Sequence, residues 1–512
     1  MSDIFLGLDL GTSGCKLIAF DGRGRELARA TRGYPVANPG PGQFELDADR
    51  VWGEAEACFR EVRAGALPGT VRTLAVSVLG EAVLPVDRSG RPLAPAPISA
   101  DMRAMAEVER LGERFGPERI HAITGQILSP ISSLPKLMWW RAHRPALVDE
   151  AWKFVCFGEF ALMKLGLPPV IDEGMAARMM AFDVGRRGWS QDLLDMAGLV
   201  PSQLAAVAPS GTVLGSVPDG VAAALGLPPG VRVVLGGHDQ PMGALGAGIV
   251  EPGTALYAIG TTEALVVALE KPAPGLGARN IPCYAHVMPG RYVGLAGNQS
   301  GARVLAWYRE AMALAGPEDG ARAFEELLAA LEDRPPAWPL LLPHFAGSGS
   351  VLNDNDSLGA LFGLRFETSR QDILLALLEG ITFEQALSLE ALSEAAGPVA
   401  ALRAIGGGTR SALWLQMKAD ILDRPVTCAS VQDAPCLGGA ILGRAAVEPG
   451  TPVAAIIGEM VATGRTFHPR PDRHAVHAAR LAVYRSMYTA LRPLAAQMRH
   501  CWQAASGAPA PA

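Results

Sequence analysis

Cysteine is scarce and scattered in this chain. Seven occur among 512 residues (Cys15, Cys58, Cys156, Cys283, Cys428, Cys436 and Cys501). None forms a CxxC pair or sits at zinc spacing from a histidine, so a structural zinc and a disulfide framework are excluded. Reduced thiols packed as small apolar groups are expected instead. Long hydrophobic runs are also missing; none approaches the roughly 18 residues of a membrane span. Charge of one sign has little excess: 51 acidic against 45 basic residues give a net charge of −6. That excludes a basic field for nucleic acid or an anionic membrane. Charged residues make up only 19% while 49% are apolar, which excludes a largely disordered chain. The opening MSDIFLGLDLG has an acid at Asp3 and no basic stretch, so a signal peptide is not expected and the cytoplasm is.

What the chain has in quantity is length and turns. At 512 residues it exceeds what one hydrophobic core organises. Its 58 glycines and 40 prolines follow no period, which predicts many tight turns. Ile4 to Asp21 reads as two antiparallel strands around a Gly-rich loop. Further strands are expected at 72–79, 82–86 and 231–235. Helical periodicity fits 48–63, 103–115, 190–197, 301–314, 370–396, 411–422 and 472–500. Strands and helices alternate throughout, which predicts an α/β fold.

The chain also repeats itself. LGLDLGTSGCKLIAFD, from Leu6, lies over ALYAIGTTEALVVALE, from Ala255. Gly11 meets Gly260, Thr12 meets Thr261 and Ser13 meets Thr262. Two related domains are therefore expected, 1–247 and 248–500, joined near GAGIVEPGT, with a flexible tail over 501–512.

Three glycine clusters and four acids carry the candidate chemistry. In the first turn, backbone N–H groups, Thr12 and Ser13 form a donor cluster of the kind that holds phosphate, to which Lys16 could add charge. Asp9 beside it could hold a hydrated Mg2+, an ion that needs few protein carboxylates. An ordinary hairpin would also account for this loop. The second turn, with Gly260 and Thr261, supplies a second such cradle. In AIGGGTRSALWLQMKADIL, Gly407 and Ser411 open a helix where unpaired N–H groups could meet a nucleoside; a strand-to-helix turn would use glycine too. Asp239 follows a strand and two glycines, at a strand's carboxyl end where α/β sites gather, though it could equally cap the next helix. His238 is either a second base or a packed histidine. Glu81 interrupts two apolar strands, and Asp101 and Arg103 follow; each has a structural alternative as a turn acid, a helix-start acid and a surface base.

Taken together, GLDLGTSGCKLIAFD, SSLPKLMWW, LGGHDQPMGALGAG, YAIGTTEAL, SLGALFGLRFETSRQDILLALLEG and AIGGGTRSALWLQMKADILDRPV resemble the FGGY carbohydrate kinases of the actin-like ATPase superfamily. Their order and spacing span almost the whole chain, and xylulokinase-like members look nearest. The resemblance implies two ribonuclease-H-like domains around a central catalytic cleft, with sugar in the first and ATP mainly on the second. It implies Asp239 as catalytic base, Gln240 as a sugar contact and Asp9 as the Mg2+-associated acid. Thr12, Ser13 and Thr261 fall on phosphate contacts, and Gly407 and Ser411 on the adenosine site. The small-molecule acceptor is expected to be a ketopentose such as xylulose, and the resemblance leaves a homodimer open. Two departures lie in the sugar pocket. Where xylulokinases carry a Met-His pair this chain reads Val78-Leu79-Gly80-Glu81, with Glu81 where glycerol kinases have a substrate-binding glutamate. The aromatic usual before the Asp-x-Arg segment is Ser99. An actin-like nucleotide switch, or a sugar sensor without turnover, is the alternative that shares the twin hairpins.

Overall fold

The computed structural model describes residues 2–65, 67–311, 326–332 and 334–506. Its two principal sheets explain why the sequence repeats. The first runs Glu26–Gly33, Gly14–Asp21, Ser2–Leu10, Gly69–Val78, Arg232–His238, Val213–Ser216. The second runs Tyr292–Asn298, Glu263–Leu269, Thr254–Ile259, Ala401–Ile405, Val426–Ala429, Thr463–Phe467, with Cys283–Ala285 added at its edge. In both, the first three strands are antiparallel neighbours, the next two steps are parallel, and the last is antiparallel again. The repeat read over 16 residues thus extends to five strands in the same order; the sixth, antiparallel strand comes before its neighbour in the first sheet (Val213–Ser216) and after it in the second (Thr463–Phe467).

The expected elements appear with small shifts. Helix Ala48–Ala64 starts on Asp47, whose side chain accepts from Arg50 N, and buries Val51, Trp52, Ala55, Cys58, Phe59 and Val62 at helical spacing. Helix Arg370–Ala396 is opened by a reciprocal Ser369–Asp372 cap and ended by Gly397 at φ 101°. Val83–Val86 pairs with Lys153–Cys156 in a ribbon of its own. The helix expected over 301–314 is described as Ala302–Ala311; its last three expected positions lie outside the described residues. Where a tail was expected from 501, helix Pro471–Ser506 continues instead, and 507–512 lie outside the described residues. No helix among the described residues is long and apolar enough to cross a membrane.

Equivalent helices join the halves. Asp239–Gly246 follows strand Arg232–His238, and Ala434–Val447 follows the corresponding strand Val426–Ala429. They pack on each other, and Ala434–Val447 also lies across the first sheet, with Cys436, Leu437, Ala440 and Ile441 buried among Phe5, Ile18, Phe20 and Ala75. Two glycines allow this approach. A Cβ at Gly246 would stand 1.8 Å from Ala434 O, and one at Gly438 would stand 2.2 Å from Met242 O. Both obstacles are backbone, so nothing flexible can yield. Gly438→Val should therefore lower stability by about 3 kcal/mol, the upper end of overpacking costs. Urea denaturation would measure it, and an unchanged midpoint would refute this account of the interface.

Candidate functional site

Sheet register gathers the first-domain candidates. Asp9 stands beside Ser77, and Ser77 beside Gly237. The carboxyl ends of three parallel strands therefore present Asp9, Glu81 just beyond one strand, and Asp239 directly after another, the location where α/β ligand sites form. Ser77 Oγ donates to Asp9 Oδ1 at 2.8 Å. Burial raises the Asp9 pKa above the usual carboxylate range. Among the described residues no group of three or more His, Cys, Asp or Glu could hold a metal. One carboxylate with phosphate oxygens and water still suits Mg2+. Asp9 fits that use, because its excess charge is only partly offset.

Asp239 opens helix Asp239–Gly246. Its carboxyl is pushed up to about 8 by burial first, then by the charges of Asp9 and Glu81, with Arg178 opposing. Asp239 Oδ1 lies 3.1 Å from His238 Nε2, and His238 Nδ1 lies 2.9 Å from Tyr284 Oη. Burial and the Arg178 charge hold His238 well below the ordinary imidazole range, so the ring is neutral. Of the two readings for His238, the packed and hydrogen-bonded one fits this geometry.

Glu81 is buried, with φ 54°, a left-handed conformation that costs a non-glycine residue about 1 kcal/mol or more. Two contacts hold it there: Ser133 Oγ donates to its backbone oxygen at 2.8 Å, and its carboxylate accepts from Arg178. Gln126 Oε1 accepts weakly from Arg178 Nη1 at 3.4 Å. Two buried donors of this group have no protein partner, Gln126 Nε2 and Arg178 Nε, and neither has Gln240 Oε1 of the residue after Asp239. Buried orphans of this kind need a ligand or water. Asp101 differs from its expected role. Its two oxygens accept from Phe44 N, Arg103 N, Arg103 Nε and Arg103 Nη2, at 2.7 to 3.1 Å. Those four bonds fill a carboxylate's acceptor capacity. Arg103, read as a surface base, also pairs with Glu45 at 2.7 Å. Lys136 of the SSLPKLMWW segment is buried, donating to Ile98 O and Ile131 O.

The turns are built alike. Thr12 and Ser13 are exposed, and the loop is braced by Tyr34 Oη donating to Gly11 O at 2.6 Å. Thr261 is exposed too, and Ala302 N at the start of the next helix donates to Gly260 O at 3.0 Å. Lys16 departs from the expectation: its ammonium pairs with Asp433, which also accepts from Arg29 at 3.0 Å. It ties the first hairpin to the second domain instead of standing free for phosphate. Ser411 caps helix Ala412–Leu422 through Trp414 N at 3.3 Å. At Gly407 a Cβ would meet no protein atom within 4 Å, so its flat surface faces open space.

Beneath the second turn lies an ion pair that sequence reading missed. Lys418 Nζ donates to Glu263 Oε1 at 2.7 Å and to Tyr257 Oη at 2.6 Å, and Tyr257 donates to Glu263 Oε2 at 2.6 Å. Both charged side chains are fully buried. The pair joins the strand leaving the turn to the helix that Ser411 opens. Arg178, Gln126 and Tyr284 were also missed. They come from GMAARMM, TGQIL and PCYAH, where nothing in local spacing marks them.

Comparison with known proteins decides the family. The model of the FGGY family of carbohydrate kinases, N-terminal domain, matches residues 4–246, and its C-terminal counterpart matches 255–447. The chain belongs to the FGGY family of carbohydrate kinases. It is accordingly an ATP-dependent sugar kinase with the two-domain, actin-like fold. It is similar to the xylulose kinase of Escherichia coli, at 27% identity over 96% of this chain and 100% of the relative. The gluconokinase of Bacillus licheniformis is 27% identical over 86% and 87% of the two chains, and the autoinducer-2 kinase of Yersinia enterocolitica 28% over 95% and 94%. The ligand-bound xylulose kinase structure from Lactobacillus acidophilus superposes with TM-score 0.88 at 21% identity, covering 97% of this chain and 100% of that one. Relatives named for three different substrates match about equally well.

Removing one partner of the buried pair tests its role. Lys418→Met leaves Glu263 buried and uncompensated, and should cost about 3–5 kcal/mol in urea denaturation. The double variant Lys418→Met/Glu263→Gln should recover part of that loss; equal losses in both would show that packing alone matters.

Proposed function

We propose that this kinase transfers the γ-phosphoryl group of ATP to a hydroxyl of a small neutral sugar, a ketopentose such as xylulose, with Asp239 as general base. The observation that carries the reading is charge balance in the acceptor pocket. Arg178 is neutralised by Glu81, and Arg103 by Asp101 and Glu45. Of the described residues named here, both arginines already have their charge offset, so neither offers an uncompensated cation to the carboxylate of an aldonic acid. The orphan atoms point to a hydroxylated acceptor of either kind. Gln240 Oε1 needs a donor while Gln126 Nε2 and Arg178 Nε need acceptors. Hydroxyls of a sugar or polyol supply both.

The chemistry follows from the residue types. A sugar hydroxyl is far too weak an acid to ionise at neutral pH, so a base must take its proton as the oxygen attacks. The new O–P bond forms, the bond from γ-phosphorus to the bridging oxygen breaks, ADP leaves, and the proton passes to the Asp239 carboxylate. A carboxyl raised to about 8 suits this, because its conjugate acid is close to neutrality. Thr12, Ser13, Gly260 and Thr261 would hold the phosphates, and Gly407 and Ser411 the nucleoside. Asp9 would hold Mg2+, which when bound offsets phosphate charge. Asp101 and Lys16 belong to the supporting framework in this reading, as their saturated partners indicate.

Two measurements check it. In a coupled ADP-release assay with Mg-ATP, ketopentoses should turn over and aldonic acids should not. Asp239→Asn should lower kcat by about 10^2- to 10^4-fold while ATP still binds. Turnover with an aldonic acid alone would overturn the substrate class, and acceptor-independent ADP release at equal rates in both proteins would favour a nucleotide switch. The second is a pH profile. Only the deprotonated base accepts a proton, so kcat/KM for the sugar should rise with pH through about 8 and level off above. A plateau already reached at pH 5 would refute the buried base.

A further inference from the structure

We propose that Glu81 is a specificity-determining residue that acts through Arg178. Its carboxylate occupies one of two N–H groups on a single edge of the guanidinium, and with Glu81 removed that edge takes the carboxylate of an aldonic acid. This rests on the readings of a neutral acceptor and of Asp239 as base. Arg178 ends the short helix Glu173–Arg178, which Asp172 opens by accepting from Met175 N at 3.1 Å. Its guanidinium is buried in the first domain and faces the Tyr284 ring of the second sheet at 5.6 Å.

A guanidinium donates in fixed directions. Nε–H and one N–H of Nη2 leave the same edge side by side, the fork that can grip both oxygens of a carboxylate. In Arg178 this edge is half used. Nη2 donates to Glu81 Oε1, while Nε is buried with no hydrogen-bond partner among the described residues. Nη1, on the other side, meets Gln126 Oε1 at 3.4 Å. The unpaired Nε lies close to the base: a Cβ built on Gly80 would stand 3.7 Å from it and 2.8 Å from Nε2 of His238, the residue before Asp239. Because residue 80 is glycine, no side chain of its own fills that space. Glu81 itself sits at φ 54°, a conformation that glycine adopts freely, and its main-chain oxygen is held separately by Ser133 Oγ at 2.8 Å. Glycine at 81 therefore removes the carboxylate and relieves the backbone while the turn stays anchored. An aldonic acid can then place one oxygen on Nη2 and the other on Nε, supplying the charge balance that Glu81 supplies in the native chain.

The test compares Mg-ATP-dependent turnover of a ketopentose and of an aldonic acid by the full-length kinase. Glu81→Gly should raise kcat/KM for the aldonic acid about ten- to a hundredfold over the native protein, the worth of one charge-assisted hydrogen bond, with the KM for ATP within about twofold. Glu81→Gln keeps an oxygen for Nη2 and loses only the charge, so its gain should be smaller. The double variant Glu81→Gly/Arg178→Met should show no gain. A pH profile with the ketopentose separates this from a change of fold. Asp9, Glu81 and Arg178 are the charges that act on Asp239, and His238 beside it is neutral. Glu81 raises the Asp239 pKa, so its loss should move the acid limb of kcat/KM to lower pH in both single variants. Native-level aldonic acid turnover in both single variants would overturn the proposal. So would a gain that persists in the double variant, or an acid limb that stays in place. Efficient aldonic acid turnover by the native kinase would instead sink the neutral-acceptor reading, and normal turnover by Asp239→Asn the reading of the base, which keeps the failures distinct.

Discussion

The structure depends on one close contact, the backbone-to-backbone approach of helices Asp239–Gly246 and Ala434–Val447. Each follows the equivalent strand in its own sheet, so the contact relates the two halves of a duplication to each other. Its consequences are positional. Asp239 begins one of these helices, and Asp433, which holds Lys16 and Arg29 of the first sheet, immediately precedes the other. A helix pair held apart by one methyl group would displace both. The glycines at 246 and 438 are therefore constraints on the site as much as on the core, and rigid packing of this kind transmits small shifts instead of absorbing them.

Around that contact the site is organised by compensation of buried charge. Asp9, Glu81, Asp101 and Asp239 would repel one another if left alone, and desolvation would add to the cost. Two of them are neutralised outright: Glu81 by Arg178, and Asp101 by Arg103. The other two keep raised pKa values, as the proposed roles of Asp9 toward a cation and Asp239 toward a proton require. The same residue type thus divides into framework and chemistry according to whether a guanidinium is within reach. Beneath the second Gly-Thr turn the pattern recurs, with Glu263 and Lys418 each pushed toward neutrality by burial and each opposed by the other.

How far this was legible in the sequence follows from the range of the interactions. The repeat could be read because hairpin geometry is local: Leu10 and Ile259 end corresponding strands, and the Gly-Thr turns fall between them. Helix bounds such as Arg370–Ala396 were legible for the same reason, from caps and periodicity. The pairings that decide availability were not. Glu81 and Arg178 lie 97 residues apart, and Lys16 and Asp433 lie 417 apart. Sequence alone shows an acid or a base in a suggestive place, but not whether a distant partner has already used its lone pairs. The partners of Asp101 and Lys16 could not be read on that account. Gln126, Arg178 and Tyr284 went unnoticed because only tertiary packing brings them to Glu81 and His238.

The same distinction bears on substrate choice within the family. Relatives named for xylulose, gluconate and autoinducer-2 match this chain about equally well. On the proposed reading, specificity resides where the chain is particular, in the state of its pocket arginines. An arginine with a free fork recognises a carboxylate strongly, and one closed by a glutamate does not. A single pairing can therefore exclude an acidic acceptor at no cost to the ATP site. Opening such a pair would demand a price in Glu81, which would then be left buried, ionised and strained at φ 54°. The strain and the ion pair sustain each other, and on this argument the proposed preference for a neutral acceptor is set by the Gly80–Glu81 turn more than by any residue that touches ATP.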